Sequence, residues 1–88
     1  MKIIKLDRRF RYYPDFDQAL RYNFLEHNQA DRVIEWLKNT YGSADYWDHN
    51  QSPPRHIINP MWRTDKKRRR IYVKNQADIS MALLIASG

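Results

Sequence analysis

Apolar and polar positions change period several times along this chain, and each change predicts an element. Between Leu20 and Glu26 the run LRYNFLE sets Leu20, Tyr22 and Phe24 against Arg21 and Asn23, and that period of two predicts a strand with one buried face. Ala30, Val33, Ile34, Leu37 and Tyr41 then fall at i, i+3, i+4, i+7 and i+11, the continuous stripe of an amphipathic helix. Arg32, Glu35, Lys38 and Asn39 take the other side. Gly42 stands where a helix closes in the left-handed conformation. A single helix from Asp15 to Tyr41 is the rival, because His27-Asn28-Gln29 holds neither Pro nor Gly to interrupt it.

Upstream, Met1 to Tyr13 mixes β-branched, aromatic and basic residues. It reads as an extended segment suited to a sheet edge, where Lys and Arg discourage pairing with other chains. Pro14 ends it, and Asp15 to Gln18 form a polar turn or a short helix. Downstream, Ala44 to Asn50 is a short aromatic strand, and Gln51 to Arg55 is a loop because Pro53-Pro54 offers no ladder donors. His56 to Trp62 makes a brief strand interrupted by Pro60, and Asp65 to Arg69 a charged turn. Arg70 to Lys74 forms a strand with Ile71 and Val73 inward and Tyr72 outward. A short helix follows with Ala77, Met81 and Leu84 inward, and Leu84 to Ser87 closes the chain as a strand.

One tetrad occurs twice, as Asn28-Gln29-Ala30-Asp31 and as Asn75-Gln76-Ala77-Asp78. Each copy follows an alternating segment and precedes apolar residues at helical spacing. Asn at the N-cap accepts a first-turn N–H, and Asp three residues on reaches back and sits at the positive end of the helix. Two strand-to-helix junctions follow, although the separation is long for a tandem unit and four-letter matches also arise by chance. Residues 20–87 then read as a ferredoxin-like βαββαβ unit, α+β in class. Its antiparallel sheet carries two helices on one face, preceded by an extended basic segment over residues 1–14.

Composition narrows the function classes. Eighty-eight residues make one domain, 1–88, with a single modest core. Without Cys, neither a disulfide framework nor a thiolate zinc site can form. The opening MKIIKLDRR places charges where a signal peptide needs an apolar run, and no segment approaches a bilayer span; a soluble, cytoplasmic protein is expected. The net charge of +6 is segregated: residues 1–13 carry five Lys/Arg and one Asp, and residues 63–74 carry seven Lys/Arg and one Asp. Such segregation concentrates positive potential that attracts phosphates or acidic surfaces.

The run Ile71-Tyr72-Val73-Lys74, Asn75, Ala77-Asp78 and Met81-Ala82-Leu83-Leu84 resembles the carboxy-terminal ends of many small bacteriophage α+β proteins. Those proteins pair an aromatic strand with an Ala-Asp or Asp-Ala turn, a short helix and a final strand. Trp36-Leu37, Tyr41-Gly42 and Trp47 are similar to the helix-to-strand passage upstream in them. About half the chain is covered. The functions of those proteins are mostly unknown, so the resemblance implies a phage origin and a fold, and no catalytic residue.

The strongest functional lead is Lys66-Lys67-Arg68-Arg69-Arg70, flanked by Arg63 and Lys74. Adjacent cations repel one another, so an anionic partner accounts for them better than solubility does. With Tyr72 outward, rings would stack on bases while cations hold phosphates, helped by Arg8, Arg9 and Arg11. An RNA-recognition motif is excluded, because Arg70 to Lys74 lacks the Gly its third strand requires. Asp45, Asp48, His49 and His56 are the one cluster of candidate metal ligands, but they match no ligand spacing, and no metal or other cofactor is expected. No Ser has a base at a recognisable motif, so no enzyme is expected. The expectation is a non-enzymatic accessory protein that binds nucleic acid. The alternative is a module that docks on a host protein or on itself through Trp36, Trp47 or Trp62, with Trp36 half-exposed at the flank of its helical stripe.

Overall fold

A computed structural model describes residues 1–6 and 13–88. Its strands are β1 (Lys2–Lys5), β2 (Gln18–Arg21), β3 (Asp45–Asp48), β4 (Arg55–Ile58), β5 (Trp62–Asp65) and β6 (Arg70–Val73), and its helices α1 (His27–Tyr41) and α2 (Gln76–Ser87). The chain is α+β with antiparallel sheets. Four strands form one sheet in the order β1-β2-β6-β5, and β3 and β4 form a separate hairpin.

The helical stripe is where its spacing predicts it. Ala30, Val33 and Leu37 of α1 are buried with Ile79, Ala82 and Ala86 of α2 against Leu20, Trp62, Ile71 and Val73 of the sheet. Both helices therefore cover one sheet face. Gly42 ends α1 at φ 87°, its N–H donating to the Lys38 carbonyl at 2.8 Å. Its own carbonyl accepts the Trp62 indole N–H at 2.9 Å, tying the helix end to β5.

Several expectations are corrected. The strand expected over Leu20–Glu26 stops at Arg21, and a 3-10 turn over Phe24–Glu26 leads directly into α1. The Asn23 side chain accepts the Leu25 N–H at 3.0 Å while Glu26 accepts the Asn23 N–H at 2.9 Å. This reciprocal box satisfies the orphan donors one turn before the first tetrad, so Asn28 lies inside α1 and is not its cap. Asn75 is the N-cap of α2 in extended conformation, yet its side chain makes no cap bond. Asp78 does not reach back either, because its carboxylate accepts the Tyr41 hydroxyl of α1.

The interleaved βαββαβ order also differs from what these elements form. Among the described residues β3 pairs with β4 alone and stands outside the main sheet. Asp45 and Trp47 alternate with Tyr46 and Asp48, so neither face of β3 is apolar enough for burial. The closing strand expected at Leu84–Ser87 is instead the last turn of α2. Residues 80–87 hold no Pro or Gly, and Met, Ala and Leu favour continuing the helix. The face of α2 is rotated as well: Ala77, Met81 and Leu84 are exposed, while Ile79, Ala82 and Ala86 face the core.

Tyr72, expected to point outward, is fully buried, as are its neighbours Ile71 and Val73. β6 is a central strand with both faces covered. The second face carries its own small cluster of Phe16, Ala19 and Tyr72, with Leu6 and Tyr13 packed on it. Tyr13 and Phe16 close over the Tyr72 ring at centroid distances of 4.6 and 6.0 Å.

Candidate nucleic-acid interface

The turn between β5 and β6 carries Lys66, Lys67, Arg68 and Arg69, and Arg70 opens β6. Asp65 anchors the turn, accepting the Arg68 N–H at 3.1 Å and its guanidinium at 2.8 Å. Burial pushes the Asp65 carboxyl up, but the hydrogen bonds from Arg68 outweigh it and hold the group below its ordinary value. Arg69 has φ 55°. Its N–H donates to the Lys66 carbonyl at 3.3 Å and its carbonyl accepts the Tyr22 N–H at 3.0 Å. A side chain in the left-handed region costs about 1–2 kcal/mol, and these two bonds hold Arg69 there.

Strand register brings further cations to this end. Lys2 lies opposite Arg21, Arg21 opposite Arg70, and Arg70 opposite Asp65. Directly opposed residues on antiparallel strands share a face, and like charges there are destabilising. Asp65 offsets Arg70 at one end of this row, while Lys2 and Arg21 stay exposed. The row and the turn line an open groove of about 710 Å³ that Tyr22, Asn23 and Glu26 help to close. Glu26 accepts hydrogen bonds from the amino-terminal ammonium and from the Asn23 N–H, which hold its carboxyl below the ordinary value.

Phe24 stands next to this groove, following Asn23 in the chain and lying beside Arg69, both of which line it. It is 67% exposed, the Arg69 guanidinium carbon lies 5.8 Å from its ring centroid, and the His27 ring meets it edge-on at 5.3 Å. The aromatic beside the basic turn is thus Phe24 and not Tyr72. Alternation grouped Phe24 with the buried Leu20 and Tyr22, and the Asn23-x-x-Glu26 spacing was the signal that the chain leaves the sheet first.

The other predicted residues divide. Lys66, Lys67, Arg68, Arg69 and Arg70 stand together at this end. Arg63 does not join them, because its guanidinium lies over Tyr13 at 5.5 Å. Lys74, beyond the far end of β6, donates to the Asp15 carbonyl at 2.8 Å. Tyr72 is removed from the site by burial. Arg8, Arg9 and Arg11 lie outside the described residues. Trp62 is 1% exposed and cannot anchor a partner. Trp36 is half-buried against the core, as its place on the stripe predicts. Trp47 is 58% exposed on the β3–β4 hairpin, its ring stacked on His56 at 5.0 Å.

The ligand cluster does not converge. Asp45 accepts from or pairs with His56 at 2.9 Å, while Asp48, on the other face of β3, binds the Asn50 N–H and the Gln51 amide. Among the described residues no group of three acidic, His or Cys side chains could hold a metal ion. No helix among them is long and apolar enough to cross a membrane.

The two anchoring carboxylates predict an acid limb of stability. Both folded values lie below the ordinary 4.5 of Glu26 and 3.8 of Asp65. Their contribution is complete above those ordinary values and is lost as pH falls through the lower folded ones. The urea midpoint falls on acidification below about pH 4, and Asp65→Asn flattens that fall while lowering the midpoint at neutral pH.

No protein-family model, curated protein sequence or solved structure matches the chain, so the reading of this end of the molecule rests on its geometry.

Proposed function

We propose that the protein binds nucleic acid through the cationic end of its four-stranded sheet, without catalysis, in the manner of a small phage-type accessory protein. The observation that carries this reading is the Lys2, Arg21 and Arg70 row, three strands contributing like charges in register beside the basic turn. Repulsion within such a row is relieved when phosphates neutralise it and release their condensed counterions. The contacts are to the backbone, so affinity carries little sequence preference.

Titration of labelled DNA and RNA between 50 and 200 mM salt tests it. Contacts from Lys2, Arg21, Lys67, Arg69 and Arg70 give a slope of log affinity against log salt of about −3.5 for single strands and about −4.5 for duplex DNA. Absence of binding to either polymer at low ionic strength overturns the reading.

A second reading has its own observation. Tyr46 and Trp47 are exposed on a two-stranded hairpin, an element that is marginal in water by itself, and large rings are the usual anchors of protein interfaces. A complex captured from lysate that survives nuclease treatment and is lost in Trp47→Ala favours this reading over the first.

A further inference from the structure

We propose that the groove takes single-stranded rather than duplex nucleic acid, with Phe24 as the ring on which a base stacks and Arg69 as the cation that holds that ring and the adjoining phosphate. The proposal rests on the reading of the cationic end given above. Three observations carry it. Phe24 is a large apolar side chain left 67% exposed, with the Arg69 guanidinium carbon 5.8 Å from its ring centroid. The turn that bears it is fixed rather than loose: Asn23 and Glu26 close a reciprocal box, and Glu26 is also ion-paired to the amino-terminal ammonium. The ring is therefore presented at one place relative to Arg21, three residues earlier on β2, and to Arg69, whose guanidinium lies beside it.

The third observation is the backbone of Arg69. Gly or Asn fits a φ of 55° with less strain than Arg does. An Arg held there against its backbone preference points to a use for the side chain, and its guanidinium lies 5.8 Å from the Phe24 ring centroid. Bases inside a duplex already stack on one another and offer only edges and phosphates to a protein. A protruding ring flanked by cations matches a strand whose bases are free, which is how sequence-tolerant single-strand binders combine stacking with phosphate contacts. Stacking reads no 2′-hydroxyl, so DNA and RNA single strands share the chemistry.

Fluorescence anisotropy with labelled dT12, U12 and a 12-base-pair duplex at equal salt tests the proposal on the full chain. The expected result is tighter binding of the single strands than of the duplex. Phe24→Ala then loses about tenfold or more in single-strand affinity, with duplex affinity within twofold of wild type and the salt slope unchanged, and Phe24→Trp restores binding. Arg69→Gly weakens single-strand binding while raising the thermal midpoint, a combination that a purely structural role for Arg69 does not produce. A preference for either dT12 or U12, which differ in the C5 methyl as well as in the sugar, supports the proposal. If Phe24→Ala binds both single strands as wild type does while Arg21→Glu no longer binds, the stacking proposal is overturned and the cationic site stands. If wild type binds none of the three probes, both are overturned. Circular dichroism of each variant confirms that an exposed position has been changed without loss of the fold.

Discussion

Replacing Arg21 by Glu lowers nucleic-acid affinity by about two to three orders of magnitude at 0.1 M salt and leaves the fold slightly more stable than before. Both halves of that result come from one register. Arg21 sits between Lys2 and Arg70 on adjacent strands, so a carboxylate there has a cation directly opposite on each side. Each opposed pair changes from repulsive to attractive, worth about 0.2–1 kcal/mol. Binding responds in the other direction, because the variant loses the central contact and draws Lys2 and Arg70 into internal pairs. Three contacts at about 0.7 log units each for single strands or about 0.9 for duplex, taken at 0.1 M against a 1 M reference, give the stated loss. Chemical denaturation and anisotropy on the same sample read the two effects separately. A variant that binds within threefold of wild type would remove the row from the binding surface.

This behaviour could not be read from the chain, because no periodicity joins Lys2, Arg21 and Arg70; only the strand register does. What lies within one turn or one strand was legible. The spacing of Ala30, Val33 and Leu37 predicted the buried face of α1, Gly42 predicted its end, and the run from Lys66 to Arg70 marked the turn at which cations gather. Errors arose where a distant segment decides the environment. Period two made Tyr72 outward on the assumption that helices cover one face and water the other. Ile71-Tyr72-Val73 is equally a continuous apolar run, the pattern of a strand buried on both faces. The cover on the second face comes from Tyr13 and Phe16, on either side of Pro14 and far away in sequence. The repeated tetrad misled for a related reason. A cap is fixed by which donors remain unpaired, and Asn23 with Glu26 had already supplied that service to the turn that runs into α1.

Burial of Tyr72 on that second face carries the other large prediction. Tyr72→Ala loses about 3–5 kcal/mol of stability, a large share of the roughly 5–15 kcal/mol that holds a small domain together. Its ring lies on the central strand opposite Ala19, tilted 57° to Tyr13 and 56° to Phe16, so truncation opens a cavity beneath those two rings. Tyr72→Phe keeps the packing and loses the hydroxyl's interaction with Arg70, costing about 1 kcal/mol. Burial raises the Tyr72 hydroxyl above its ordinary 10.0 and the nearby Arg70 opposes that rise. A group raised on folding contributes fully below its ordinary value and loses that contribution as pH climbs through the folded one, so wild type weakens above about pH 10 and Tyr72→Phe weakens less. Urea unfolding at neutral and alkaline pH measures all three quantities. Were Tyr72 instead a ring offered to bases, Tyr72→Ala would leave the midpoint almost unmoved and abolish binding. Here Tyr72→Phe binds as wild type does, and a loss of less than about 1 kcal/mol in Tyr72→Ala is incompatible with a sheet covered on both faces.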